Sequence, residues 1–101
     1  MTNFGKQIGK LLRAAKKVGG DKVASMVLKC WEGSYKFHTL KKGVEYAEAV
    51  DDVVALIVLD GEGNQIGWFG IESANYDCDI FDIVYDYSDN EYCAKVMGLL
   101  R

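Results

Sequence analysis

Val53-Val54-Ala55-Leu56-Ile57-Val58-Leu59-Asp60-Gly61-Glu62-Gly63-Asn64-Gln65-Ile66-Gly67-Trp68-Phe69-Gly70-Ile71-Glu72 is the stretch that decides the fold. Its first seven residues are a continuous apolar run rich in β-branched side chains, the pattern of a central strand covered on both faces. Asp60 to Asn64 follow as a polar, glycine-bearing hairpin loop. Gln65 to Glu72 return as a second strand, in which Gly67 and Gly70 flank Trp68 and Phe69. Residues 78–88 read as a third strand. Phe81, Ile83, Tyr85 and Tyr87 share one of its faces, and Cys78, Ile80, Asp82, Val84 and Asp86 share the other. Ser88 or Asp89 then caps a short closing helix over residues 90–100, with Tyr92, Val96, Leu99 and Leu100 as its apolar contacts.

Upstream of the meander the period changes from two to that of a helix. Phe4, Ile8, Leu11, Leu12, Ala15 and Val18 form one apolar stripe over residues 4–18. Lys6, Lys10, Arg13 and Lys17 form a basic stripe on the opposite side. Gly19-Gly20 stops this helix, and Asp21 is placed to cap another. Val23, Met26, Val27, Cys30 and Trp31 repeat at helical spacing and predict a second helix over residues 22–32. Residues 35–40 alternate as a short strand; in 41–52, Tyr46, Ala49, Val50 and Val53 fit a helix while Val44, Tyr46 and Val50 fit a strand, and a short strand or turn of helix is expected there. The resulting class is α+β: two N-terminal helices and a short C-terminal helix packed on an antiparallel sheet of three to five strands. No proline interrupts any element.

The chain has 101 residues, half of them hydrophobic, which suits a single domain over 1–101 with one core. No apolar run approaches the roughly 20 residues that span a bilayer. The first twenty residues lack the continuous apolar segment of a signal peptide. Cys30, Cys78 and Cys93 are odd in number and irregularly spaced, so the expectation is a reduced, cytoplasmic setting with the thiols as small core residues.

The net charge of −3 conceals a strong asymmetry. Residues 1–44 hold ten cations against Asp21 and Glu32, a balance of +8, and residues 45–101 hold thirteen carboxylates against Lys95 and Arg101, a balance of −11. Such asymmetry points to charged partners. Its plainest explanation is that the two halves meet within the fold.

No catalytic constellation emerges. His38 is the one histidine, in an alternating run, and the nearest thiol in sequence, Cys30, falls on the apolar side of the predicted helix. Cys30, His38, Cys78 and Cys93 have the number but not the spacing of a zinc site. Asp60 to Asn64 would open an EF-hand loop only with Gly at its sixth position and Glu at its twelfth, and Gln65 and Ile71 stand there. The glycines at 61, 63, 67 and 70 do not lead into a helix and so form no phosphate cradle. Asp82 and Asp86 lie about 13 Å apart at strand rise, too far to act on one bond. No metal and no cofactor is expected.

What remains is surface. Asp77, Asp79, Asp82, Asp86, Asp89 and Glu91, interleaved with Tyr76 and Tyr85, compose an acidic, tyrosine-bearing stretch of the kind that binds proteins. The leading expectation is a non-enzymatic interaction module, an inhibitor or accessory protein of bacterial or phage type, whose carboxylates occupy a basic site on another protein, including one that normally takes nucleic acid. The first alternative is nucleic-acid or anionic-surface binding through Lys6, Lys10, Arg13 and Lys17. The second is a small ligand-binding domain or enzyme using His38. Oppositely charged halves also allow a homodimer.

Overall fold

The computed structural model describes residues 3–50, 53–73, 81–85 and 90–100. In chain order these form helix α1 (Asn3–Gly19), a 3-10 turn (Gly20–Lys22), strands β1 (Ser25–Cys30) and β2 (Gly33–Phe37), helix α2 (Leu40–Val50), strands β3 (Val53–Leu59), β4 (Gln65–Ser73) and β5 (Phe81–Tyr85), and helix α3 (Glu91–Leu100). The strands make one sheet in the order β2-β1-β3-β4-β5, antiparallel at every step. The class is α+β.

The arrangement of elements differs from expectation upstream of β3. Residues 22–32 are not a second N-terminal helix. They hold the end of the 3-10 turn and β1, so one helix stands at the N-terminus and another, α2, in the middle of the chain. The reason lies in pairing partners far along the sequence. Met26 and Leu28 are set opposite Val58 and Leu56 and are buried with them, while Val27 and Lys29 take the other side. Asp21 therefore caps no helix: it lies in the 3-10 turn, where no side-chain cap bond is made. Residues 41–52, expected as a strand or single turn, instead contribute most of the eleven-residue α2. The strand expected over 35–40 is β2, which ends at Phe37.

α1 ends where glycine allows it. Gly20 has φ of 55°, the left-handed conformation that closes helices, and Lys16 Nζ donates to the Gly20 and Val23 carbonyl oxygens at 3.1 and 3.2 Å. The loop between β3 and β4 is equally local. Asp60 Oδ1 accepts from the Glu62 and Asn64 amides at 2.9 and 2.8 Å, and Gly63 supplies φ of 84°. This carboxylate closes the turn on its own backbone.

α3 begins at Asn90. Its Oδ1 accepts from the Cys93 amide at 2.9 Å, an N-cap bond, and its Nδ2 donates to the Ile66 carbonyl at 3.3 Å. Asn90 thus replaces Ser88 or Asp89 as the capping residue seen, the latter two lying outside the described residues. One side chain starts the helix and ties it to the irregularity between β3 and β4.

All three helices pack on the same side of the sheet. Ile8, Leu11, Leu12 and Ala15 of α1, Ala47 of α2, and Cys93, Val96 and Met97 of α3 join Met26, Leu28, Phe37, Leu56, Val58, Phe69 and Ile71 in one core. Gly43 lets α2 approach closely. A Cβ there would lie 2.5 Å from the Phe37 ring and 2.9 Å from Leu12 Cδ1. Gly98, in α3, faces open space.

These two glycines predict opposite outcomes for one chemical change. Gly43→Ala should destabilise by about 1–3 kcal/mol through overpacking, despite alanine's better helix propensity. Gly98→Ala should stabilise by about 0.5–1 kcal/mol. Urea denaturation of both variants checks the pair, and a Gly43→Ala midpoint at or above wild type contradicts the close approach.

Candidate functional site

Strand alternation divides the sheet into a covered and an open side. The covered side carries Met26, Leu28, Leu56, Val58, Phe69 and Ile71, all buried. On the open side the register aligns Lys36, Val27, Ile57 and Trp68 in one row across β2, β1, β3 and β4. The next row aligns Ser34, Lys29, Ala55, Gly70 and Val84 from β2 to β5. Val27, Ile57 and Trp68 are half-buried, and Lys29, Lys36 and Ser34 are exposed. Ala55 and Gly70 of the second row are buried. β3 was expected to be covered on both faces, and buried residues stand on both of its alternations, Val53 and Ala55 on one and Leu56 and Val58 on the other, with Ile57 and Leu59 half-buried.

At one end of this face the β1–β2 hairpin turns through Trp31 and Glu32. Trp31 is 82% exposed, the largest apolar exposure among the described residues. Helical spacing had assigned Trp31 to a core-facing stripe, and period-two alternation from Met26 would have freed it. The same misreading concealed Val27.

The basic stripe lies on the opposite surface of the molecule. Lys6, Lys10, Arg13 and Lys17 are all exposed on α1, the helix that packs against both α2 and α3. None of the four is ion-paired with a described carboxylate; the ion pair seen among the described residues joins Lys95 to Glu91 at 3.4 Å, both exposed and of little energetic weight.

The acidic stretch is described only in part. Tyr76, Asp77, Asp79, Asp86 and Asp89 lie outside the described residues. Asp82 is in β5 opposite Glu72, and Tyr85 is opposite Phe69. Glu91 is exposed in the first turn of α3. Tyr92 is engaged internally: its hydroxyl donates to the Ala15 carbonyl at 2.6 Å, and its ring lies where a Cβ on Gly67 would be 2.9 Å away.

His38 is exposed and borders a cleft of about 90 Å³ between the end of α1 and the end of β2, with Lys16, Met26 and Phe37 among its walls. Ligand pockets are several times larger, about 300 Å³ and upward. Cys30, now on β1, is half-buried, 3.2 Å from the Tyr46 hydroxyl and 3.4 Å from the Gly33 carbonyl. Cys93 is buried, with Trp68 O 3.5 Å from its sulfur. Cys78 lies outside the described residues. Among the described residues no three His, Cys, Asp or Glu side chains converge as metal ligands, and no helix is long and apolar enough to cross a membrane. No protein-family model, curated protein or solved structure matches this chain.

Burial pushes the Tyr92 hydroxyl well above its ordinary value of 10.0, and Cys93 adds a smaller push in the same direction. The folded state therefore holds this proton more tightly than the unfolded state. Its contribution is complete below about pH 10 and is lost as pH rises further. Tyr92→Phe should cost about 1 kcal/mol at neutral pH through loss of the bond to Ala15. It should also flatten the fall of melting temperature between about pH 9 and about pH 11. Circular dichroism melts of the two proteins test this, and parallel curves count against it.

Proposed function

We propose that this chain is a non-enzymatic protein-interaction module, an inhibitor or accessory protein that docks through one side of its sheet and through its acidic stretch. The row Val27, Ile57 and Trp68 carries this reading, being apolar and half-buried on the side of the sheet away from the helices. Aromatic and branched apolar groups at the centre of a polar rim are the anatomy of a protein interface. Asp77, Asp79, Asp82, Asp86, Asp89 and Glu91, with Tyr76 and Tyr85, supply a charge suited to a basic partner, including a site that otherwise takes nucleic-acid phosphates. Carboxylates speed association with a basic site, and the apolar row holds the complex.

The test is Asp82→Asn/Asp86→Asn/Asp89→Asn in the full chain, used with wild type as bait in a native extract. Bound proteins should be lost or weakened by about tenfold in the variant, with a faster loss at high salt. A folded variant that captures the same proteins with equal affinity sinks the acidic-surface reading.

A second reading is favoured by one observation: the exposure of Lys6, Lys10, Arg13 and Lys17 on α1. Such a stripe suits phosphates. Binding to DNA, RNA or anionic vesicles should then fall steeply with salt and vanish in Lys6→Glu/Lys10→Glu/Arg13→Glu. Salt-independent binding, or none, removes this reading.

A further inference from the structure

The outward side of α1 is all cation. Its exposed residues are Lys6, Lys10, Arg13, Lys16 and Lys17, and the helix carries no acidic residue. Lys16 is engaged with the Gly20 and Val23 carbonyls that close the helix. The other four form no ion pair with a described residue. At about 100° and about 1.5 Å per residue, positions 6, 10, 13 and 17 fall within about 60° of one another and span about 16 Å, so they make one straight row. Arg13 is laid back along that row. Its Nη1 lies 3.2 Å from where a Cβ on Gly9 would be, so bare Gly9 leaves room for the guanidinium on the helix surface.

The row widens toward its C-terminal end. Lys41 and Lys42, in the first turn of α2, are exposed, and that turn holds no acid. They directly precede Gly43, where a Cβ would lie 2.9 Å from Leu12 Cδ1, so they stand beside the second half of α1. At the other end Glu48 lies against Gly5, which leaves the positive field strongest from Lys10 to Lys17.

A bilayer, a single strand and a duplex each present rows of phosphate, and the neighbouring surface decides among them. An amphipathic helix binds a bilayer by burying its apolar side as well as by charge. Here that side, Ile8, Leu11, Leu12 and Ala15, is fully buried in the core. Single strands are held by stacking their bases on aromatic rings. No exposed residue of α1, α2 or α3 is aromatic among the described residues, and the exposed Trp31 belongs to the β1–β2 hairpin. A duplex needs neither device. It offers a charge about every 1.7 Å of its axis, so a row of about 16 Å finds a phosphate for every side chain.

We propose that α1 and the first turn of α2 form a docking surface for the phosphate backbone of a nucleic-acid duplex, an inference that deepens, and rests on, the second reading above. α1 packs against both α2 and α3 and is not free to enter a groove. The contact is therefore to backbone alone and carries no sequence information. Carboxylates elsewhere on the chain lie beyond the Debye length of about 8 Å at physiological salt, so the net charge of −3 does not cancel the patch.

Fluorescence anisotropy of the full chain with a short labelled DNA duplex, over a salt series, reads the proposal. With four phosphates engaged, the logarithm of the association constant should fall with log salt at a slope of about −3.6, roughly 150-fold between about 50 and about 200 mM. Engagement of Lys41 and Lys42 would steepen it to about −5.4. Lys10→Gln, Arg13→Gln and Lys17→Gln should each reduce the slope by about 0.9, equally for duplexes of different sequence. Lys29→Gln/Lys36→Gln removes two exposed cations from the strands and should change neither slope nor affinity. Circular dichroism confirms that each variant is folded. A single strand bound as tightly as the duplex, or anionic phospholipid vesicles bound in preference to both, overturns the duplex assignment while the second reading stands. Lys29→Gln/Lys36→Gln matching the α1 variants overturns the site. Binding to none of the three probes removes the second reading and this inference with it.

Discussion

Burial of the apolar stripe of α1 is the constraint on which the rest of the molecule depends. Ile8, Leu11, Leu12 and Ala15 are fully buried, and the three larger ones are worth about 2 kcal/mol apiece. α2 meets this helix through bare Gly43, and α3 is tied to it by the Tyr92 hydroxyl on the Ala15 carbonyl. Once the stripe is spent on the core, the same helix has only its cations left for solvent. A membrane-surface role for α1 would need the apolar side twice, so within this fold the basic side alone is available for recognition.

The same constraint sets the described helices on one side of the sheet. Three helices against one side of the sheet satisfy Leu28, Leu56, Val58 and Phe69 and leave the opposite alternation to Val27, Ile57 and Trp68. Gly67 is central to this division. A Cβ there would strike the Tyr92 ring, so the bare position brings α3 down onto β4 while Trp68, the next residue, belongs to the open side. The hairpin that defined the fold in the sequence is therefore also where its two surfaces separate.

How much of this was legible depended on where each element's partners lie. β3, its loop, β4, α1 and α3 were readable because their signals are local: a long apolar run, an Asp–Gly turn whose carboxylate closes on its own amides, and a stripe at helical period. β1 was not, because Val23, Met26, Val27, Cys30 and Trp31 match helical spacing by accident. Leu28, which that spacing ignores, is the residue that Leu56 and Tyr35 flank in the sheet. α2 was ambiguous for a related reason. Gly43 and the branched Val44 and Val50 weaken it as an isolated helix, and its packing on Phe37 and Leu12 compensates only after folding. Of the surfaces, the basic stripe was fully visible in the sequence, the acidic one visible as composition, and the open apolar row invisible until β1 had a period of two.

The charge asymmetry takes on a different meaning once the elements are placed. A chain of +8 followed by −11 invites the idea that its halves neutralise each other internally. The cations of α1 make no ion pair with a described carboxylate and lie on the far side of the helices from the sheet's open face. The carboxylates of the second half are not kept apart from α1: Glu48 of α2 lies where a Cβ on Gly5 would be 2.6 Å from its Cγ, and Glu91 is exposed on α3. Strand alternation carries Lys29 and Lys36 to the side of the sheet that holds Val27 and Ile57. The basic half thus presents cations on two separate surfaces, the exposed side of α1 and the β1–β2 end of the sheet's other side, and a net count along the sequence reports neither.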